Sequence, residues 1–191
     1  MGPLDASGWM AGVARVDSPF FDARPSGTTV DLLVIHNISL PPGVFGSGDV
    51  VRLFAGSLDV AAHPFYAGLS GARVSAHFLI ERAGRVTQFV STKDRAWHAG
   101  LSQFEGRVAC NDFSIGIELE GTDFAPFTDA QYSSLCDLVV ALHAACPPRA
   151  IRGHSDIARD RKTDPGPFFD WARLRSRAHI DPALLPDHAR A

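Results

Sequence analysis

Residues 152–171, RGHSDIARDRKTDPGPFFDW, bring a histidine, several carboxylates, a lysine and a Pro-Gly-Pro stop into one short segment. That mixture suits neither a core nor an ordinary surface loop, and it could form the wall of a metal site. Pro165 disfavours helical geometry at Asp164 and pushes it towards an extended conformation. Residues two apart in an extended run share a face. Lys162 and Asp164 are therefore expected to point the same way, with Thr163 turned aside. Pro165 and Pro167 stiffen the backbone that presents them. A fixed carboxylate beside a fixed ammonium, soon after His154, is a starting point for a catalytic centre. A solvated Asp–Lys pair on a Pro-rich turn explains this segment alone equally well, because charges in loops usually face water.

A second candidate comes from far upstream. Leu32 to Ile35 form a solidly apolar run bracketed by Asp31 and by His36-Asn37. This pattern reads as a buried strand ending in polar residues, and such strand ends are where α/β proteins place function. His36 is a candidate ligand; the alternative is a core histidine held by a backbone carbonyl. Together, His36, His154 and Asp164 are two histidines and one carboxylate. Such a set on Zn²⁺ leaves a position open for water, the catalytic rather than the structural arrangement. No short motif joins residues so far apart, so spacing alone does not establish the triad.

The elements that must carry these residues can be read in outline. Residues 1–30 are expected to be an irregular lead-in, broken by Pro19, Pro25 and Gly27. Residues 39–72 are rich in Gly and Pro, with a short helix near Val50 to Phe54. Their aromatics (Phe45, Phe54, Phe65, Tyr66) argue against a disordered linker, and the stretch reads as a loop over a binding cleft. Val74–Glu81 and Val86–Val90 read as strands joined by a glycine-containing turn. Phe113 to Gly121 is a strand with Ile115, Ile117 and Leu119 on one face and Gly116, Glu118 and Glu120 on the other. Either the second face is exposed and acidic, or one carboxylate faces a cleft with its pKa raised by burial. Thr128 to Ala145 is the clearest helix, with Thr128 and Gln131 as a capping box and an apolar stripe through Tyr132, Leu135, Leu138, Val139 and Leu142. Ala150–Gly153 is a short strand leading into His154, and Phe168–Arg177 a closing helix. The fold class is α/β: one domain with a central mixed β-sheet flanked by helices.

Composition narrows the function. The chain has 191 residues, enough for one domain with a good core. Its 18 Lys and Arg against 21 Asp and Glu give a net charge of −3, with no basic block. Nothing there favours nucleic acid or an anionic membrane surface. MGPLDASGWM has no basic region ahead of an apolar stretch, so it does not read as a secretory signal. Cys110, Cys136 and Cys146 are odd in number and form no CxxC, which suits reduced thiols. A cytoplasmic location is expected.

The segments LLVIHNISLPPG, AHPFYAG, RVSAHFLI, RAWHAG, CNDFSIGIELEGTD, FTDAQY and RKTDPGPFFDWAR occur in this order between about Trp9 and Arg175. In them the chain resembles the zinc-dependent N-acetylmuramoyl-L-alanine amidases, the family that includes phage-lysozyme amidases and peptidoglycan recognition proteins. Within it, the resemblance is greatest to cytoplasmic anhydro-muramoyl-L-alanine amidases of peptidoglycan recycling. It departs most at 144–153, where the chain looks shortened, and in its tail. The resemblance implies the family's fold, a catalytic domain over 31–178 and a tail over 179–191. It implies Zn²⁺ as cofactor with His36, His154 and Asp164 as ligands, Glu118 as the acid–base residue, and Lys162 facing the scissile carbonyl. Asn37, Arg73 and His98 would line the substrate cleft, and His77 would be structural. The implied substrate is a small soluble glycopeptide, cut between the lactyl group of the anhydro-sugar and L-alanine. Two other readings are a binding module that does not cut and an amidase that trims intact wall.

Overall fold

The computed structural model describes residues 1–189. In chain order the strands are β1 (Ala14–Arg15), β2 (Phe21–Ala23), β3 (Leu32–Ile38), β4 (Phe78–Ile80), β5 (Val86–Gln88), β6 (Asp94–Ala96), β7 (Gln103–Phe104), β8 (Arg107–Val108), β9 (Ser114–Glu120) and β10 (Ala150–Gly153). The helices are α1 (Asp49–Phe54), α2 (Asp129–Ala145), α3 (His154–Ile157) and α4 (Trp171–Ala178). Six strands form the main sheet in the order β1-β5-β4-β9-β3-β10. All neighbours in it run parallel except β4 and β5, so the sheet is mixed, as the pattern of elements predicts.

The two central strands, β3 and β9, are buried along their apolar lengths, and their pairing sets His36 directly opposite Glu118. Alternation gives the sheet two unlike faces. Leu33, Ile35, Ile115, Ile117 and Leu119 pack against Tyr132, Leu135, Leu138, Val139 and Leu142 of α2 and Leu174 of α4 as one continuous core. The opposite face has two separate apolar clusters. One gathers Leu79, Phe89, Leu53, Phe54 and Tyr66; the other gathers Leu32, Val34, Phe104, Phe113 and Ile157. His36 and Glu118 belong to this second, divided face.

Helix α2 starts where its capping box places it. Thr128 Oγ1 accepts the Gln131 N–H at 3.1 Å, and Gln131 Oε1 accepts the Thr128 N–H at 3.1 Å. Helix α4 begins at Trp171, three residues later than expected, because Asp170 caps it by accepting the Arg173 N–H at 2.9 Å. Strand β4 is shorter than expected: Ser75 and His77 bond individually to the carbonyls of Trp97 and Gly116 before regular pairing begins at Phe78.

Two stretches carry more order than the sequence shows. The lead-in supplies β1 to the main sheet and β2 to a pair with β6. The stretch after Pro182 folds back: Leu185 is buried in the main core, and Arg152 Nη1 donates to the Leu184 carbonyl at 2.7 Å. The loop at 39–72 also differs from expectation. Phe54 and Tyr66 are core residues beneath it, with the Tyr66 hydroxyl donating to Asp49 at 2.7 Å. Phe54 and Tyr66 therefore hold the loop down, and its beginning, at Ser39, Pro42 and Gly43, reaches the cleft. Among the described residues no helix is long and apolar enough to cross a membrane.

Candidate metal centre and active site

His36 sits near the end of β3, where the strand leaves the core. His154 is the first residue of α3, immediately after β10, the other parallel neighbour of β3. Asp164 comes from the loop after α3, whose backbone is tied back by the Ser155 N–H donating to the Asp164 carbonyl at 2.9 Å. Gly153 lets that loop approach, since a Cβ there would lie 2.7 Å from Pro165 Cδ. Gly166, at φ +83°, does the same on the far side, where a Cβ would stand 2.5 Å from Asp123 Oδ1.

The three side chains converge. His36 Nδ1 is 3.0 Å from His154 Nδ1 and 2.9 Å from Asp164 Oδ2, and His154 Nδ1 is 3.1 Å from the same oxygen. One ligand atom from each lies within 4.8 Å of the others. Hydrogen bonds on the outer sides of the rings fix which nitrogens face inward. His154 Nε2 is 3.0 Å from the Ala99 carbonyl, an acceptor that requires an N–H. In the neutral ring this leaves Nδ1 with its lone pair turned inward. Three electron-rich atoms facing one another at these distances repel unless a cation lies among them. The donor set therefore fits a metal ion. Two histidines and one carboxylate leave at least one position for a reacting oxygen.

The electrostatics agree with that arrangement. Burial pushes His36 down to about 4, against the opposing pull of Asp164, so the ring stays neutral and able to ligate at pH 7. Without a cation, the contacts of the two rings with Asp164 become hydrogen bonds only where an Nδ1 carries a proton; burial alone would raise Asp164, but such bonds from His154 and His36 hold it well below the usual carboxylate range. Glu118 lies opposite His36, with Oε1 4.0 Å from His36 Nδ1. It is 7% exposed, and its Oε2 is buried with no hydrogen-bond partner. Burial, then the negative charge of Asp164, raises its pKa well above the ordinary value, while Lys162 works against the rise. An unpartnered buried carboxylate oxygen costs about 1–3 kcal/mol.

A cleft of about 660 Å³ opens on this region, lined by Asn37, Ser39, Asp123, Phe124, Lys162 and Asp164 among others. Lys162 is solvent-exposed there, as a group meeting substrate must be. Thr163 also lines the cleft, beside Lys162 and Asp164, and the chain turns at Asp164-Pro165. A larger hollow of about 1010 Å³ lies elsewhere, around Phe104, Arg152 and His188, and touches none of the three donors.

The expected substrate-binding residues fall in three different places. Asn37 lines the cleft, and its amide donates to Asp123 Oδ1 at 2.6 Å and to the Pro165 carbonyl at 3.0 Å, bracing the loop that carries Asp164. Arg73 is exposed and stacks over Trp97 at 5.8 Å. His98 packs against His36, one of the three converging donors. Its Nδ1 is 2.9 Å from His36 Nε2 and its Nε2 is 3.1 Å from Ser114 Oγ, so both ring nitrogens are engaged. His77 is fully buried: Nδ1 accepts the Gly116 N–H at 3.0 Å, Nε2 is 3.1 Å from the Asp94 carbonyl, and burial with nearby Arg24 pushes it down to about 3. Residues not singled out from the sequence are Ala99, Asn111, Ser114, Asp123 and Arg161. One signal was available: Gly116 inside a strand marks close approach by another group, and a Cβ there would lie 2.4 Å from His98 Cγ.

Two histidines and an aspartate converge at the strand ends of a mixed sheet, beside a buried glutamate, an arrangement that suits metal-dependent hydrolysis. A family model described as N-acetylmuramoyl-L-alanine amidase matches residues 26–167, and the chain belongs to that family. It is 57% identical over 170 residues to the 1,6-anhydro-N-acetylmuramyl-L-alanine amidase AmpD of Escherichia coli (strain K12), covering 88% of this chain and 93% of that protein. The fold matches a crystal structure of an AmpD selenomethionine derivative with a TM-score of 0.87 at 53% identity, over 91% of this chain and 98% of that one. It also matches the Escherichia coli amidase AmiD, solved with the substrate anhydro-N-acetylmuramic acid-L-Ala-D-gamma-Glu-L-Lys. That match has a TM-score of 0.59 at 30% identity, over 81% of this chain and 60% of that one.

Proposed function

We propose that this protein is a zinc-dependent amidase of peptidoglycan recycling. It cleaves the amide between the lactyl group of 1,6-anhydro-N-acetylmuramic acid and L-alanine of the stem peptide, in the cytoplasm. The observation that carries this reading is the convergence of His36, His154 and Asp164 beside the unpartnered Oε2 of Glu118. The relatives named above, with AmpD-type names and an anhydro-muramoyl peptide bound to one of them, support the substrate class.

His36, His154 and Asp164 hold the zinc. Bound there, zinc supplies Lewis acidity that polarises the scissile carbonyl and makes water more acidic. Glu118, raised in pKa by burial, accepts the proton of the attacking water and returns it to the departing amine of L-alanine. Lys162, exposed at the cleft, places its ammonium near the carbonyl oxygen as negative charge grows there. Asn37 holds the Asp164 loop in register through Pro165. Arg73 is a cation at the surface for a carboxylate of the stem peptide. The products are the free anhydro-sugar acid and a peptide with a new N-terminal alanine.

Mass spectrometry of a soluble anhydro-muropeptide before and after incubation tests the reaction. The expected result is loss of the intact glycopeptide and appearance of both products, abolished by a chelator. A mass unchanged with metal-loaded protein would leave a binding module. Equal or better release of peptide from purified sacculi would turn the assignment to an amidase of intact wall.

A further inference from the structure

The outer nitrogens of the two ligand histidines end on consecutive residues of one segment. His36 Nε2 meets His98 Nδ1 at 2.9 Å, and His154 Nε2 meets the carbonyl of Ala99 at 3.0 Å. One side-chain atom takes both backbone N–H groups of that segment: Asn111 Oδ1 accepts the N–H of His98 at 3.1 Å and of Ala99 at 2.8 Å. Asn111 is 6% exposed and sits in the helical turn just before β9. We infer that Asn111 is a positioning residue for the metal centre: through the backbone of His98 and Ala99 it sets the orientation of both ligand imidazoles.

A ligand imidazole must aim a lone pair within a narrow cone, and a hydrogen bond at its other nitrogen fixes both tautomer and tilt. Here one bond goes to a side chain and the other to a backbone oxygen, so the two rings can be oriented together only if residues 98 and 99 hold one position. Nothing in regular secondary structure holds them: β6 ends at Ala96 and β7 begins at Gln103. Asn111 supplies the missing anchor to β9, the strand that carries Glu118. The ring of His98 is confined further by Ser114 Oγ at 3.1 Å and by Gly116, whose lack of a Cβ leaves room for it. Arg161 Nη2 donates to the same Ala99 carbonyl at 2.9 Å, linking the strut to the loop bearing Lys162 and Asp164.

The inference rests on His36 and His154 being metal ligands, and the test separates the two claims. Metal-free protein is titrated with Co²⁺ alone; affinity is read by competition with a chromophoric chelator and geometry by the visible bands of the bound ion. Asn111→Leu is expected to weaken Co²⁺ binding by roughly 10–100-fold, the usual effect of losing such an orienting contact, and to alter the band pattern. Asn111→Asp keeps an acceptor oxygen and should stay within a few-fold of wild type. Asn111→Leu with wild-type affinity and spectrum overturns the inference, and so does an Asn111→Asp variant as impaired as Asn111→Leu. If Asn111→Leu does not fold, His98→Ala decides: loss of tenfold or more in affinity supports the strut, and an unchanged value overturns it. Asp164→Ala is the control. If it binds Co²⁺ like wild type, the ligand assignment itself is wrong; if it loses Co²⁺ while the strut variants do not, only the role of Asn111 falls.

Discussion

Glu118 and Glu120 leave the same face of the same strand, two residues apart, and both are nearly buried. Their surroundings are opposite. Glu120 accepts the Gly46 N–H at 2.6 Å on Oε1 and the Arg82 N–H at 3.1 Å on Oε2, so both oxygens are used to pin two loops to the sheet. Glu118 has one oxygen with no partner and faces two histidines and an aspartate that carry their own electron pairs. A satisfied buried carboxylate stabilises the fold; an unsatisfied one costs stability and persists where chemistry needs it. Acidity and burial are common to both residues; what sets Glu118 apart is an unpartnered oxygen beside His36, which is why the proposed function gives the proton-transfer role to it and not to Glu120.

The largest effect should come from removing what Glu118 faces. Asp164→Ala is expected to lose bound metal and all measurable turnover, as read by metal analysis of purified protein and by product release. It should also lose the stability that metal adds by binding only the folded state. A variant that keeps a full equivalent of metal would detach Glu118 from any metal chemistry and remove the contrast with Glu120. Next is Lys162→Ala. One donor to a growing oxyanion is worth about two to three orders of magnitude in rate, with metal retained. If the metal is released instead, Lys162 holds the Asp164 loop and not the transition state.

Glu120→Ala should act on stability. It leaves the Gly46 and Arg82 N–H groups without their acceptor, at a cost of about 1–3 kcal/mol for each donor that stays buried. Denaturant midpoints should fall accordingly, while Glu120→Gln, which keeps one acceptor oxygen, loses less. No loss in either variant would mean the pinning is idle. The smallest effect has the opposite sign. In metal-free protein the folded-state pKa of Glu118 lies above its unfolded value. Its contribution is thus most favourable below the ordinary carboxylate value of about 4.3 and is lost as pH rises through the folded pKa. Glu118→Gln removes that loss, so its melting temperature should exceed wild type at neutral pH and the gap should close towards pH 4. A gap that widens as pH falls would contradict the raised pKa.

How much of this could be read from residues alone follows the reach of each interaction. Helix α2 was legible because its cap and stripe are local: Thr128 and Gln131 are three apart, and the apolar positions recur at helical spacing. The strand carrying His36 was legible for the same reason, although it runs on to Ile38. That Glu118 and Glu120 share a face was legible too, but their difference was not, since it depends on Gly46 and Arg82, far away in the chain. The metal donors meet across more than a hundred residues, and family resemblance, not spacing, brought them together. The contact of His98 with His36 was not legible, because RAWHAG shows an imidazole without showing what lies against it. The folded-back end was unreadable: Leu185 has no periodic neighbours, and its burial comes from the main core it reaches.

The most direct test of the account compares the two carboxylates at equal metal content. Glu118→Gln and Glu120→Gln are each loaded to one equivalent of zinc, and kcat is measured on the same soluble anhydro-muropeptide. The account predicts that Glu118→Gln falls by roughly two to four orders of magnitude, the usual worth of general acid–base catalysis, while Glu120→Gln stays within about tenfold of wild type. Near-wild-type turnover in Glu118→Gln, or an equal fall in both, would contradict it.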